Sequence, residues 1–206
     1  MPKRSSEETK STILQTLCNI LVENGFNTLD VASLAREARI DRALIYRYFG
    51  SMDGLLQKVA EKTAIWISTK EMVQKSYDST RSMASNYTAF LTTIIDSLRA
   101  KPLAREVVKW ELVEPNRLTR LLDFYRENQM LEVYKLLGLP LTEDQTCDRA
   151  AISAVLIGGI IYLAIKSKSS NTFGGVDIST DEGWERLKGA IADVVTTMDE
   201  KYRFDS

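Results

Sequence analysis

Residues 25–55, GFNTLDVASLAREARIDRALIYRYFGSMDGL, hold two short helical patterns separated by a tight polar break. In the first, Val31, Leu34, Ala35 and Ala38 recur on one face at helical spacing, and Asp30 stands where an N-terminal cap is needed. In the second, Ile45 and Phe49, with Ile40 just ahead of them, form an inward face and leave Arg42, Ala43, Tyr46 and Arg47 outside. Two helices of roughly two to three turns, joined by so short a break, make a helix-turn-helix, whose second helix fits the major groove of B-DNA. The outward face carries the matching chemistry: two guanidiniums for guanine edges or phosphates, a small alanine for close approach, and phenolic hydroxyls for phosphate oxygens.

The order and spacing of this region resemble the N-terminal pattern of the TetR family of bacterial regulators. That pattern runs Ile-Leu-x-x-Ala, Gly-Phe/Tyr, Ile-Ala-x-x-Ala-Gly-Val-Ser-x-Gly-x-Leu-Tyr-x-His/Tyr-Phe and Ser-Lys-Glu-x-Leu. The matching residues here are Ile13-Leu14, Gly25-Phe26, Leu34-Ala35, Ala38, Ile40, Ile45-Tyr46, Tyr48-Phe49, Ser51 and Leu55. Three positions depart: Arg39 stands at the usual glycine before the turn hydrophobe, Ala43 at the usual glycine of the second helix, and Met52 at the usual lysine. Arg39 lacks a glycine's conformational freedom, so a different backbone is expected at the turn. Met52 removes a basic group that often touches phosphate, so that contact is not carried over.

The resemblance implies an all-α chain of about nine helices. A three-helix helix-turn-helix DNA-binding domain is expected over residues 1–50, and a helical ligand-binding and dimerisation domain over 51–206. It implies a dimeric repressor released from a palindromic DNA operator by a small molecule. Arg42 and Arg47 are the expected base readers. Lys3, Arg4, Tyr46 and Tyr48 are the expected phosphate contacts, with Ser33 and Ala43 completing the DNA-binding set.

Composition agrees with a helical protein: 206 residues, 44% hydrophobic, with only 4 Pro and 10 Gly. Twenty-seven basic and 28 acidic side chains nearly cancel, which argues against binding nucleic acid by bulk charge. Residues 1–50 hold seven basic and six acidic groups, so any affinity must come from local placement of Lys3, Arg4, Lys10, Arg36, Arg39, Arg42 and Arg47. The absence of histidine removes the commonest metal ligand and general base. Two cysteines, Cys18 and Cys147, are too few for a disulfide framework or metal site, and Cys18 falls on an apolar helix face. No metal and no cofactor are expected. Residues 1–19 lack the apolar core of a secretory signal, so a cytoplasmic protein is expected.

Ser5-x-x-Glu8 reads as a capping box opening a helix with Ile13, Leu14, Leu17, Ile20 and Leu21 inward, ended by Gly25. A fourth helix is expected from Ser51 to about Ser68, and others over about 85–100, from Pro102 through Trp110, and over about 117–137. The 16 residues Ala150–Ile165 carry no charge, yet fall short of the roughly 20 a membrane span needs. A helix apolar all round is expected to be buried on several sides. Ser179-x-x-Glu182 is expected to cap a last amphipathic helix.

One small domain can hardly cover these last two helices itself, so they suggest a homodimer built on Ala154, Gly158, Tyr162, Trp184, Ile191 and Val195. Packing of both helices into a monomer core explains the same pattern. In the middle of the chain, Trp66, Tyr87, Trp110 and Tyr125 stand among other aromatics at helical spacing. They are candidates to enclose an apolar effector pocket, which the family resemblance implies, and equally serve as core.

Two other readings compete with a DNA-binding regulator. An enzyme would need a histidine, phosphate loop, nucleophile elbow or metal spacing, and none stands out. An interaction or small-molecule-binding protein with a purely structural helix-turn-helix would lack salt-dependent duplex binding.

Overall fold

The computed structural model describes residues 5–26, 29–62, 68–114, 117–138, 143–144 and 147–202. Ten helices lie among them: α1 (Ser6–Asn24), α2 (Val31–Ala38), α3 (Arg42–Phe49), α4 (Met52–Lys62), α5 (Thr69–Ser76), α6 (Met83–Ala100), α7 (Pro102–Val113), α8 (Arg117–Leu136), α9 (Arg149–Lys166) and α10 (Asp181–Tyr202). The only strands among the described residues are two short antiparallel pairs. These are β1 (Glu143–Asp144) with β2 (Cys147–Asp148), and β3 (Thr172–Phe173) with β4 (Val176–Asp177). The chain divides into two units, residues 1–65 with 102–124, and residues 66–101 with 125–206. Thus α4 and α7 pack with the first three helices, beyond a boundary at residue 50.

In the first unit, the capping box forms as the sequence suggests. Ser5 N–H donates to Glu8 Oε2 at 2.7 Å, and Glu8 N–H donates to Ser5 Oγ at 3.1 Å. Helix α1 then buries Ile13, Leu17, Cys18, Ile20 and Leu21, and ends at Gly25 with φ +73°. Around this rod pack Leu34, Ala35 and Ala38 from α2, Ile45 from α3, Leu55, Leu56 and Val59 from α4, and Val107 and Val108 from α7, all buried. Each fully buried Leu or Ile contributes about 1.5–3 kcal/mol relative to exposure. Phe26, just past α1, stacks on Trp110 of α7 with ring centroids 3.9 Å apart and planes 7° from parallel.

The second unit is organised on α6, whose Tyr87, Phe90, Leu91, Ile94, Ile95 and Leu98 are buried against α5, α9 and α10. Trp184 is buried at the start of α10, its indole N–H donating to the carbonyl of Ile178 at 2.8 Å. Arg99 lies 5.3 Å over that ring and pairs with Asp181 at 2.5 Å. Lys188 bridges Asp96 and Glu185, both at 2.8 Å.

The expected fourth helix is described over α4 only, since residues 63–67 lie outside the described residues; Ser68 is extended and caps a separate α5, its hydroxyl accepting from Glu71 N–H at 3.2 Å. Two sequence expectations need correction. The cap of α10 is Thr180, which accepts from Gly183 N–H at 3.2 Å, while Ser179 is drawn back to the Asp177 carboxylate. Nor is α9 covered on several sides. Only Ser153, Ile160 and Ala164 are buried, although its length and composition alone would suit a membrane-crossing helix.

Gly183 is a point of close approach, since a β-carbon there would fall inside the carbonyl of Asp177, whereas one at Gly189 meets nothing within 4 Å. Gly183→Ala is therefore expected to destabilise the protein by roughly 1–3 kcal/mol. Gly189→Ala, in the same helix, is expected to stabilise it by about 0.5–1 kcal/mol. Urea denaturation of both variants checks this. Equal effects would contradict the packing at the start of α10.

Candidate nucleic-acid interface

Helix α3 is only eight residues long, and its ends are set by identifiable groups. Asp41 caps it, its Oδ1 accepting from Ala43 N–H at 2.8 Å, and Gly50 closes it with φ +77°. Ahead of it, Asp30 caps α2 by accepting from Ala32 and Ser33 N–H at 2.6 and 2.9 Å. Those backbone hydrogen bonds, first that of Ser33, hold the Asp30 carboxyl below its usual range. Between the helices, Arg39 takes the left-handed conformation, φ 55° and ψ 47°. The expected change of backbone does not occur. Its N–H donates to the carbonyls of Ala35 and Arg36, so the turn closes with glycine geometry in an arginine.

With Ile45 buried beneath α3, the residues Arg42, Ala43, Tyr46 and Arg47 are exposed together, Tyr46 at 52%. Arg47 leans on its neighbour, its guanidinium 5.1 Å over the Tyr48 ring and donating to the Tyr48 hydroxyl at 3.2 Å. Tyr48 is half-buried, faces Lys10 of α1 at 5.5 Å, and has its phenol held below the ordinary value by hydrogen bonding to Ser6 and Arg47. It is therefore an anchor between α1 and α3 as much as an outward contact. Ser33 is half-buried and returns its hydroxyl to the Asp30 carbonyl at 3.0 Å. Lys3 and Arg4 lie outside the described residues.

The four aromatic pocket candidates meet different fates. Trp66 lies outside the described residues, Trp110 is engaged with Phe26, and Tyr125 is 60% exposed. Tyr87 is buried in the second unit and shares a short hydrogen bond with Ser153. Beside the same serine the Tyr134 hydroxyl is buried without a well-formed partner, and burial pushes its phenol up. Tyr87, Phe90 and Tyr134 form one aromatic cluster, with successive ring centroids 6.2 and 5.3 Å apart. Sequence reasoning missed Ser153. Its signal is that it is the lone serine in the uncharged run Ala150–Ile165.

Of the dimer candidates, Ala154, Gly158 and Tyr162 are exposed on α9 and Ile191 is half-buried on α10, while Trp184 and Val195 are buried within their own unit. An open apolar groove of about 260 Å³ runs between α9 and α10, lined by Val155, Leu156, Gly159, Leu163, Leu187 and Val194 among others.

Residues 13–59 match the sequence model described as bacterial regulatory proteins, tetR family. A curated relative, the HTH-type transcriptional regulator HbdR of Aromatoleum sp. (strain CIB), is 36% identical over 50 residues. That match takes in 24% of this chain and 22% of HbdR, so the chain matches about a fifth of that relative's length. Among solved structures, the fatty acid degradation regulator FadR from Bacillus halodurans superposes with a TM-score of 0.66 at 14% identity, over 94% of this chain and 96% of that one. A TetR-family transcriptional regulator from Haemophilus influenzae gives 0.57 at 20% identity, over 93% and 98%. NalD from Pseudomonas aeruginosa gives 0.60 at 15%, over 95% and 97%. Residues 13–59 are thus similar to the N-terminal region of tetR-family regulators, and the described chain shares the all-α fold of these solved structures.

Because α3 is so short, its cap matters. Asp41→Ala is expected to lower stability by about 1 kcal/mol, and Asp41→Asn by much less, since asparagine caps as well as aspartate. Chemical denaturation followed by circular dichroism distinguishes the two. Identical losses would mean that the carboxylate charge, rather than the cap, is what counts.

Proposed function

We propose that this protein is a dimeric, ligand-responsive transcriptional regulator that binds a palindromic DNA operator through α3 and represses transcription until a small molecule releases it. The observation that carries the reading is the exposed set Arg42, Ala43, Tyr46 and Arg47 on the capped second helix of a helix-turn-helix, within a segment matched to the TetR family. Such a face offers bidentate donors to guanine and a small residue for close approach. The cytoplasm is the setting this role requires. NalD is a secondary repressor of a multidrug efflux pump, which supports repression as the sign of control.

Arg42 and Arg47 are the base readers in this account. Alanine at either should reduce operator affinity by about 1–3 kcal/mol and relax preference at one position per half-site. Binding-site selection from a random duplex library, followed by titration of each variant, makes the measurement. Unchanged sequence preference in both variants would contradict the assignment.

A second copy of the chain is the proposed cover for the open face of α9 and α10. The α9 face is apolar over Ala154, Val155, Gly158 and Tyr162, all exposed, and continues into the groove beside α10. A β-carbon at Gly158 meets nothing within 4 Å in the single chain, so Gly158→Leu should leave the protomer folded. It is expected to weaken dimerisation by roughly 1–3 kcal/mol through overpacking. Sedimentation should show a dimer that this variant loosens. A stable monomer of the unmutated protein at micromolar concentration would contradict the dimer.

The effector has support of a different kind. The buried Tyr134 hydroxyl without a well-formed partner is a polar handle inside an aromatic cluster, which a ligand's hydrogen-bonding group could satisfy. Release then follows from linkage: a ligand that lowers operator affinity must itself be weakened by operator DNA to the same extent.

A further inference from the structure

Arg39 is the only non-glycine residue with positive φ among the described residues. A side chain at this backbone position is costly, and glycine would close the turn with the same backbone hydrogen bonds. The arginine does not repay that cost within its own chain. It is exposed, and the side chains of Arg39 and Arg36 make no hydrogen bond or ion pair among the described residues, while Arg42 has only a long-range attraction to Asp30. Arg36, Arg39 and Arg42 line one open cleft with Ala32, Ala35, Ile40 and Asp41, beside the start of α3. Three guanidiniums there face one carboxylate, and the Asp41 carboxylate is engaged in capping Ala43. A cleft of this charge, with planar forked donors and no internal acceptor for Arg36 and Arg39, suits phosphodiester oxygens.

We propose that Arg39 is a phosphate-clamping residue, acting with Arg36 to hold the DNA backbone next to α3, and that it is kept in a strained backbone position for that purpose. The proposal rests on the DNA-binding reading above. It assigns Arg39 to affinity and register, and leaves base choice to the outward face of α3.

The test uses full-length protein and duplexes of about 30 base pairs, long enough for two half-sites one turn apart with flanks, selected by the unmutated protein from a random library. Anisotropy titrations from about 50 to 200 mM salt are run for unmutated protein, Arg39→Gly and Arg39→Lys, alongside thermal melts. Arg39→Gly is expected to melt higher, because the strain is relieved, yet to bind about tenfold more weakly at low salt. Its log–log salt slope should be shallower by about 0.9 for each phosphate it no longer neutralises, with sequence preference unchanged. Arg39→Lys should keep the charge and most of the slope, and melt near the unmutated protein. If Arg39→Gly binds with unchanged affinity and slope, the clamp is refuted while DNA binding stands. If it alters base preference, Arg39 is a reader and the clamp is equally refuted. If the unmutated protein selects no duplex and shows no salt-dependent binding, the DNA-binding reading itself falls, and the clamp with it.

Discussion

An eight-residue helix is too short to persist in water by its own hydrogen bonds, since helix nucleation is unfavourable and two turns recover little of it. Helix α3 must therefore be held by what lies beneath and at its ends. Ile45 is sealed into a core with Leu34 of α2, Ile13 and Leu17 of α1 and Leu55 of α4, all of them buried. Asp41 and Gly50 close its two ends, and Tyr48 ties its last turn to Lys10 and Ser6 at the start of α1. The outward side chains inherit their positions from this inward packing. The exposed face of α3, Arg42, Ala43, Tyr46 and Arg47, is thus placed by what is buried beneath it.

The same geometry explains how a nearly neutral chain can present a cationic face. Of the six acidic residues in 1–50, Asp30 and Asp41 cap helices, Glu8 completes the capping box and Glu7 pairs with Lys10. These carboxylates are occupied with backbone N–H groups or a lysine. Arg36 and Arg39 are left without ion pairs among the described residues, and Arg42 and Arg47 lie exposed on α3. A count of charges over the domain does not show where they lie, and Arg36, Arg39 and Arg42 share one cleft with the single carboxylate of Asp41.

Much of the first unit was legible in the sequence. The inward spacing of Val31, Leu34, Ala35 and Ala38, the box Ser5-x-x-Glu8 and the cap at Asp30 are local patterns, and local patterns survive folding. One cap was misplaced where two hydroxyls compete. Ser179 cedes its capping role to Thr180 because Asp177 holds it. The turn at Arg39 was misread since propensity argues against a left-handed arginine, and tertiary closure overrides propensity. Least legible were the aromatics. That Trp110 stacks on Phe26 while Tyr87 meets Ser153 depends on contacts between residues far apart in sequence, which helical spacing cannot reveal.

The open α9–α10 face and the reading helix constrain one another in the proposed function. A single eight-residue helix spans only one half-site, and a symmetric pair doubles the contacts while fixing their separation. Hydroxyl-radical footprinting of the protein on a selected duplex tests this account most directly. Two protected patches related by a two-fold, with half-sites centred about 10–10.5 base pairs apart, are the predicted result. A single patch, or protection that vanishes evenly along the duplex with no preferred register, would contradict it.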